Sequence, residues 1–294
     1  MLKHKSMKET KPSRVVILGA KGFVGTATTK RLLKDGVEVV ALGRQELDLQ
    51  NEQATEKLLN LLQAEDVLVV TSAKAPCKNY VMLLENVAMM KSVCDALAKK
   101  PVKQVIYISS DAVYADSMQK LSEASPAAPT SLHGVMHLAR EQMLASVVPA
   151  ENLVVLRPSL LYGADDPHNG YGPNSFYRLA SAGEAIKLFG NGEEERDHVY
   201  IKDVAEIIRL CVLHQSHGVL NITTGEVISF NDIAQQVKAL FNESVEIKCS
   251  PRCGPIPHNG YRAFDASNCK KAFPEFCYTL FNEGVLKIYK NCLR

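Results

Sequence analysis

Apolar runs and amphipathic stretches alternate along the first half of the chain. RVVILGA (14–20) is an apolar run closed by glycine, and TATTKRLLKDG (26–36) has the spacing of a helix that ends at Gly36. VEVVAL, DVLVVTSA, KQVIYISS and NLVVLRPS repeat the apolar pattern, with helix-like segments such as NEQATEKLLNLLQ and ENVAMMKSVCDALAKK between them. This alternation predicts an α/β fold, a Rossmann-like doubly wound parallel sheet covered on both faces.

The pattern changes after Pro158. A loop rich in Gly, Pro, Asn and Asp, YGADDPHNGYGPN (162–174), is followed by shorter elements such as DVAEIIRLCVLH and SFNDIAQQVKALF. We expect residues 14–160 to form the dinucleotide-binding part and residues 161–294 to form mainly a smaller C-terminal α/β substrate lobe, folded as one unit with the first part. Some strands of the lobe are free to return to the main sheet. The polar, basic residues 1–13 predict a flexible segment.

Composition narrows the class of protein. The net charge of +2 comes from mixed Lys, Arg, Asp and Glu, so we expect no nucleic-acid surface, and no apolar run reaches membrane-spanning length. The eight cysteines contain no CxxC pair and are interpreted as reduced thiols of a cytoplasmic protein. A zinc site at Cys249 and Cys253 is the alternative, and we expect no metal.

A glycine-rich turn opens the first strand–helix unit. Gly19, Gly22 and Gly25 in GAKGFVG permit a tight turn and a close approach of a pyrophosphate to the start of the helix. The second strand ends in VVALGR, where Arg44 follows the position at which a carboxylate favours NAD. Lys21 adds a second cation that would attract a 2′-phosphate, so the sequence favours NADP over NAD.

The glycine turn, ELDLQ, SSDAVYA, LRPSLLYG and ERDHVYIKDVA occur in the order typical of one family. The chain resembles the extended short-chain dehydrogenase/reductase family, the NAD-dependent epimerase/dehydratase group, whose members act mostly on nucleotide-linked sugars. The resemblance implies that the dinucleotide contacts Gly19, Lys21, Gly22, Phe23, Val24, Gly25, Arg44, Asp48, Leu49, Ser72, Ala73, Lys74 and Pro158. It also implies that a sugar nucleotide contacts Asn174, Phe189, Arg196 and Arg262.

The resemblance implies the catalytic positions as well. Ser110 matches the residue that hydrogen-bonds the reacting sugar oxygen, and Asp111 follows it where the dehydratase branch has an acid. The family's YxxxK dyad is replaced by His133 and His137. Imidazole has an unperturbed pKa near ~6.5, so His133 is able to exchange a proton without a neighbouring lysine. His137 lies on the same helical face, close enough to tune His133 or to touch the ribose.

The sequence thus predicts an NAD(P)-dependent oxidoreductase or epimerase that acts on a nucleotide sugar by hydride transfer, with an atypical histidine acid/base. Three alternatives stay open: a helical zinc pair at His133 and His137, His168 as a remote acid–base candidate, and a non-catalytic dinucleotide sensor or scaffold. Leu160 stands where many members have an asparagine near the diphosphate. A homodimer through the VCDAL and VMHLAREQML helices is expected by analogy alone.

Overall fold

A computed structural model describes residues 1–241, 244–254 and 256–292. The strands are β1 (Lys3–His4), β2 (Val15–Leu18), β3 (Val39–Leu42), β4 (Val67–Val70), β5 (Gln104–Ile108), β6 (Leu153–Pro158), β7 (Leu160–Tyr162), β8 (Ile186–Phe189), β9 (Glu195–Arg196), β10 (His198–Tyr200), β11 (Ser216–Ile222), β12 (Ile228–Ser229), β13 (Ile247–Ser250) and β14 (Tyr261–Arg262). The helices are α1 (Phe23–Lys34), α2 (Ala54–Leu61), α3 (Tyr80–Lys99), α4 (Leu132–Ala145), α5 (Pro173–Ser181), α6 (Ile201–Leu213), α7 (Phe230–Leu240), α8 (Ser267–Ala272) and α9 (Phe281–Cys292).

A seven-stranded sheet forms the centre of the molecule, in the order β1-β11-β6-β5-β4-β2-β3. Strand β1 is antiparallel to its neighbour β11, and the parallel strands β2, β4, β5 and β6 are buried throughout. Alternate residues supply two cores: Val16 and Leu18 of β2 face α2, α3 and α4, whereas Val15 and Ile17 face α1 and α6. The predicted Rossmann-like fold is therefore confirmed.

The second lobe has a core of its own. Phe176 of α5, Leu188 of β8, Phe230 of α7 and Ile288 of α9 belong to one buried cluster, around which the short sheets β7–β10, β8–β13 and β12–β9–β14 are arranged. The chain leaves this lobe through α6, which packs beside α1, and then enters the main sheet as β11, parallel to β6. Thr71, Ser109 and Pro158, at the carboxyl ends of β4, β5 and β6, line one cleft together with Tyr171 and Arg196, so the lobe stands over this edge of the sheet.

The amino-terminal segment, which the sequence predicts to be flexible, pairs with the main sheet in the structure. Lys3 and His4 pair with Ser216 and His217 as an edge strand. The His4 ring completes the attachment, since its Nδ1 lies 2.7 Å from Ser216 Oγ and its Nε2 lies 3.0 Å from Ala272 O. The unpaired edge of β11 supplies the backbone partners that order this polar segment.

The two segments expected at a dimer interface differ in exposure, since VCDAL of α3 is buried whereas Val135 of VMHLAREQML in α4 is 38% exposed. Val93, Cys94, Ala96 and Leu97 of α3 are buried in the core, as is Met136 of α4. VCDAL therefore offers no apolar surface to a second chain.

Several chemical features can be read directly from the described residues. Seven cysteines are free thiols, whereas the Cys292 side chain lies outside the described part. No three His, Cys, Asp or Glu side chains group for a metal ion in residues 1–241, 244–254 and 256–292. No described helix has both the length and the apolar character needed to cross a membrane.

Candidate functional site

The glycine turn between β2 and α1 leaves backbone donors open. A Cβ on Gly25 would stand 2.2 Å from Gly19 O, so only glycine allows this close crossing. α1 begins at Phe23 after Gly22, with no side-chain cap and no acidic residue in its first turn. The N–H groups of residues 23–25 thus have no partner within the helix, and the helix dipole favours an anion there. These residues fit the pyrophosphate of a dinucleotide.

The cations at the end of β3 already have partners. Lys21 Nζ lies 2.5 Å from Glu46 Oε1, and Glu46 Oε2 accepts a hydrogen bond from Gly43 N at 2.9 Å. Arg44 Nε lies 3.2 Å from Asp48 Oδ2. Each cation that we associated with a 2′-phosphate therefore faces a carboxylate. Neither carboxylate pairing was anticipated.

Other residues predicted to contact the dinucleotide, which follow β3 and β4 in the chain, interact with neighbouring residues of the protein. The Leu49 side chain is buried in the core, and Lys74 Nζ pairs with Glu85 Oε1 at 2.6 Å. The carbonyl of Ser72 accepts a hydrogen bond from Arg140 Nη2 at 2.7 Å.

One cleft of 860 Å³ lies between the main sheet and the second lobe. It brings together most of the predicted site: Gly22, Phe23, Val24, Gly25, Ala73, Ser110, Asp111, His133, His137, Pro158, Asn174, Arg196 and Arg262. Predicted residues outside its lining are Gly19, Lys21, Arg44, Asp48, Leu49, Ser72, Lys74 and Phe189. His168 and Leu160 also line the cleft.

The two histidines lie at the start of α4. Ser131 caps this helix by accepting a hydrogen bond from Gly134 N at 3.2 Å. Gly134 allows the first turn of α4 to pack closely on the turn that follows β5, because a Cβ there would stand 2.0 Å from Ala112 O. The rings of His133 and His137 are 4.7 Å apart at 86°, in an edge-to-face contact.

Burial controls the charge of both histidines. It lowers the pKa of His133, and the carboxylate of Asp111 opposes that change. The pKa of His137 falls well below its usual value, first through burial and then through the charges of His133 and Arg140. Both rings are therefore neutral at pH 7. His133 Nδ1 faces the N–H of Cys77 at 3.4 Å, a long contact.

A buried hydrogen-bond network, which we did not predict from the sequence, attaches α4 to the main sheet. Glu141, one turn beyond His137, accepts hydrogen bonds from Arg157 Nε at 3.0 Å, Arg157 Nη2 at 2.6 Å and Ser109 Oγ at 2.5 Å. Arg157 also donates to Tyr114 Oη at 2.9 Å. These hydrogen bonds join α4 to β5 and β6. The one sequence feature that could have indicated the network is Arg157, a charged residue inside the apolar run NLVVLRPS.

Ser110 and Asp111 follow the carboxyl end of β5 and line the cleft. Ser110 Oγ accepts a hydrogen bond from Ala112 N at 3.1 Å and lies 3.3 Å from Asp111 Oδ1. Asp111 Oδ2 in turn lies 2.6 Å from Arg262 Nε, and Arg262 Nη1 lies 3.3 Å from Asp116 Oδ1. Arg262, predicted as a diphosphate ligand, is thus held by two carboxylates.

The other predicted substrate contacts also have protein partners. Arg196 Nη2 lies 2.7 Å from Glu194 Oε2, and both side chains are buried. The Asn174 side chain bridges its own loop, accepting from Gly163 N at 3.0 Å and donating to Asp166 Oδ2 at 2.9 Å.

Phe189 stands beside the cleft. Its ring is 49% exposed and packs against Tyr171, which does line the cleft, at 4.8 Å between centroids.

Fold and site together define a Rossmann-like α/β protein with a second lobe closing a cleft over the carboxyl ends of its strands. A model of the NAD dependent epimerase/dehydratase family matches residues 15–223, and the chain belongs to that family. The resemblance predicted from the ordered motifs is confirmed.

Solved structures share the fold at low sequence identity. UDP-glucose 4-epimerase from Thermus thermophilus, in complex with NAD, has 22% identity and a TM-score of 0.79, covering 92% of this chain and 96% of that one. UDP-glucose 4-epimerase from Thermotoga maritima, with UDP-glucose, has 20% identity and a TM-score of 0.82 over 96% of this chain and 100% of that one. UDP-N-acetylglucosamine 4-epimerase from Methanobrevibacter ruminantium, with UDP-N-acetylmuramic acid, has 20% identity and a TM-score of 0.81 over 97% and 99%.

Proposed function

We propose that the protein is an enzyme that uses a nicotinamide dinucleotide to oxidise or reduce a ring carbon of a nucleotide sugar. The observation that carries the proposal is the cleft lined by the open start of α1, by Ser110, by His133 and by two arginines. Epimerisation, with oxidation and re-reduction in one site, and one-way reduction of a keto sugar are its two forms. The solved epimerases with NAD or UDP-sugars bound in the same fold support this substrate class.

In this proposal His133 is the acid/base. Because its pKa lies below the usual value, the neutral ring is ready to accept the proton of a sugar hydroxyl, and it returns that proton in the reverse step. Ser110 orients the same oxygen, and Asp111 stabilises the imidazolium that forms. The dinucleotide, bound through residues 23–25, supplies the hydride acceptor and donor.

The choice of dinucleotide depends on four side chains at the end of β3. Lys21 with Glu46 and Arg44 with Asp48 form two balanced pairs, so the corner offers a 2′-phosphate no unpaired cation from this set. An NADP preference requires both cations to exchange carboxylate for phosphate. NAD, present in the complexes of neighbouring structures, needs no such exchange and is the simpler assignment.

A sugar nucleotide can bind Arg196 and Arg262 only by displacing the carboxylates that already pair with them. A diphosphate that binds Arg262 takes the place of Asp111, and one that binds Arg196 takes the place of Glu194. A guanidinium binds phosphate oxygens in the same bidentate geometry as carboxylate oxygens, so the exchange keeps each arginine paired with an anion. We infer that Asp111, once released, turns toward His133 and that binding and acid/base chemistry are thereby coupled.

A non-catalytic dinucleotide binder is the second candidate. It is favoured by the same ion pairs, because carboxylates already satisfy both arginines of the expected diphosphate clamp. This candidate predicts binding of NAD(H) or NADP(H) without turnover of any sugar nucleotide.

Thermal-shift titration followed by turnover measurements separates the two candidates. The four dinucleotides are added alone and then with UDP-, GDP-, CDP- and dTDP-sugars. We expect a second shift with one sugar nucleotide, turnover with it, and loss of that turnover in His133→Ala with dinucleotide affinity kept within a few fold. His217→Ala, at the amino end of β11, is the matched control that should keep turnover. Stabilisation by dinucleotide alone, with no effect of any sugar nucleotide, favours the non-catalytic binder.

We also propose a homodimer, through the exposed starts of α3 and α4, a patch that includes Val135 of the expected VMHLAREQML segment. Tyr80, Val81 and Leu84 at the start of α3 and Leu132 and Val135 at the start of α4 are large apolar side chains exposed on neighbouring helices. Burying such a patch is a common reason for association. Sedimentation equilibrium should give a dimer, and Leu84→Glu should give a monomer.

A further inference from the structure

The His137 ring has one hydrogen bond, and its partner was not among the residues that the sequence singled out. Tyr107 Oη in β5 lies 2.8 Å from His137 Nδ1. Neither Tyr107 Oη nor His137 Nε2 has any other hydrogen-bond partner in the part of the chain that the structure describes. The ring is 5% exposed, and it lines the cleft.

The Tyr107 hydroxyl and the His137 ring are both neutral, so each carries one proton that can be donated in a hydrogen bond. Burial raises the pKa of Tyr107 to about 12, which keeps its hydroxyl protonated. The guanidinium of Arg140 lies 5.2 Å from the centre of the Tyr107 ring and disfavours a charged His137. The nearest acidic side chain on the same helix, Glu141, is occupied by Arg157 and Ser109. A neutral His137 carries its single proton on either Nδ1 or Nε2.

The two possible positions of the His137 proton differ in which buried polar atoms remain without a hydrogen-bond partner. If Nδ1 carried the proton and donated to Tyr107, the buried tyrosine hydroxyl would have no acceptor for its own proton. An unsatisfied buried donor costs about 1–3 kcal/mol. If Tyr107 donates to Nδ1, both buried atoms are satisfied and the His137 proton sits on Nε2.

We propose that Tyr107 is a positioning residue that fixes His137 in the Nε2–H tautomer, so that α4 presents a constant N–H donor to the cleft. The ligand group that it takes is a hydrogen-bond acceptor without a charge, a hydroxyl or carbonyl oxygen. Its identity as part of a dinucleotide or sugar rests on the proposed function. His133 Nδ1 accepts one long hydrogen bond among the described residues, from the Cys77 amide at 3.4 Å, so its tautomer is held less firmly than that of His137.

The ¹⁵N chemical shifts of the histidine rings test the tautomer on the protein alone, with His137 assigned from the signal lost in His137→Gln. We expect an unprotonated Nδ1 and a protonated Nε2 in the wild type at pH 7.5. In Tyr107→Phe both shifts should move to the averaged values of a tautomer mixture. Tyr114→Phe, which removes another buried hydroxyl bonded to Arg157 and Asn221, is the matched control and should leave them unchanged.

Binding of NADH, followed by its fluorescence, gives a second readout. We expect Tyr107→Phe to raise the Kd roughly fivefold, as for the loss of one oriented hydrogen bond. A proton on Nδ1 in the wild type overturns the proposal whatever the variants do, and unchanged tautomer shifts in Tyr107→Phe overturn it as well. Absence of turnover with every sugar nucleotide would refute the proposed function and leave this result standing.

Discussion

His198 is the buried histidine on which the pH dependence of folding should be clearest. It lies in β10 with 5% of its surface exposed, between the rings of Phe230 at 5.7 Å and Phe281 at 5.8 Å. Its Nδ1 is 3.1 Å from Arg196 O, and its Nε2 has no partner among the described atoms. Burial lowers the pKa of His198 to about 4, with the Arg196 charge acting in the same direction.

The sign and size of the effect follow from this lowered pKa. A histidine that resists protonation in the folded state binds fewer protons than in the unfolded chain, so stability is complete above pH 6.5 and falls as the pH drops toward 4. Each pH unit in this window removes about 1.4 kcal/mol, and the change from pH 7.5 to pH 5 removes about 2 kcal/mol.

Urea denaturation at the two pH values provides the measurement. His198→Phe keeps an aromatic ring between Phe230 and Phe281 and removes the titrating group, so its free energy of unfolding should fall by about 2 kcal/mol less than that of the wild type. The lost hydrogen bond to Arg196 O costs the same at both pH values and cancels in this difference. His168→Gln, at an exposed histidine, is the control that should follow the wild type. Equal losses in the wild type and His198→Phe would refute the reasoning.

Three further substitutions test other parts of the structure. Gly25→Ala should abolish dinucleotide binding measured by calorimetry, because its Cβ clashes in the turn, and normal binding by this variant would contradict the role of the turn. Glu141→Ala should lower the free energy of unfolding by about 3–5 kcal/mol in urea titrations, since it leaves the Arg157 cation buried without its carboxylate; a loss below ~1 kcal/mol would contradict the role of this pair. Glu46→Gln should improve the Kd for NADPH relative to NADH by several fold, and an unchanged ratio would show that this carboxylate does not govern the choice.

Local patterns were sufficient for most of the main sheet. The apolar runs at β2, β4, β5 and β6 and the glycine turn before α1 are decided by residues close in sequence, and all are present. β1 could not be predicted in this way, because two polar residues form a strand only where Ser216 and His217 offer them an edge. Its order depends on tertiary structure rather than on propensity.

The candidate site also combines features that local sequence patterns indicate with features that depend on tertiary structure. Ser110, His133 and Arg262, which the order of the motifs singled out, line one cleft in the structure. No local pattern indicated that Asp111 would pair with Arg262, because 151 positions separate them. The role of Tyr107 was equally hidden, since a tyrosine inside the apolar run KQVIYISS is typical of a core residue.

The short strand β1 also protects the molecule from its neighbours. Without it, β11 would end the sheet with a row of unpaired N–H and C=O groups, the kind of surface on which other chains add strands and aggregate. Lys3 and Lys5 place positive charges on the new boundary, where a further strand would have to dock. A chain shortened to begin near Arg14 should lose this cover of the β11 edge while keeping every residue that lines the cleft.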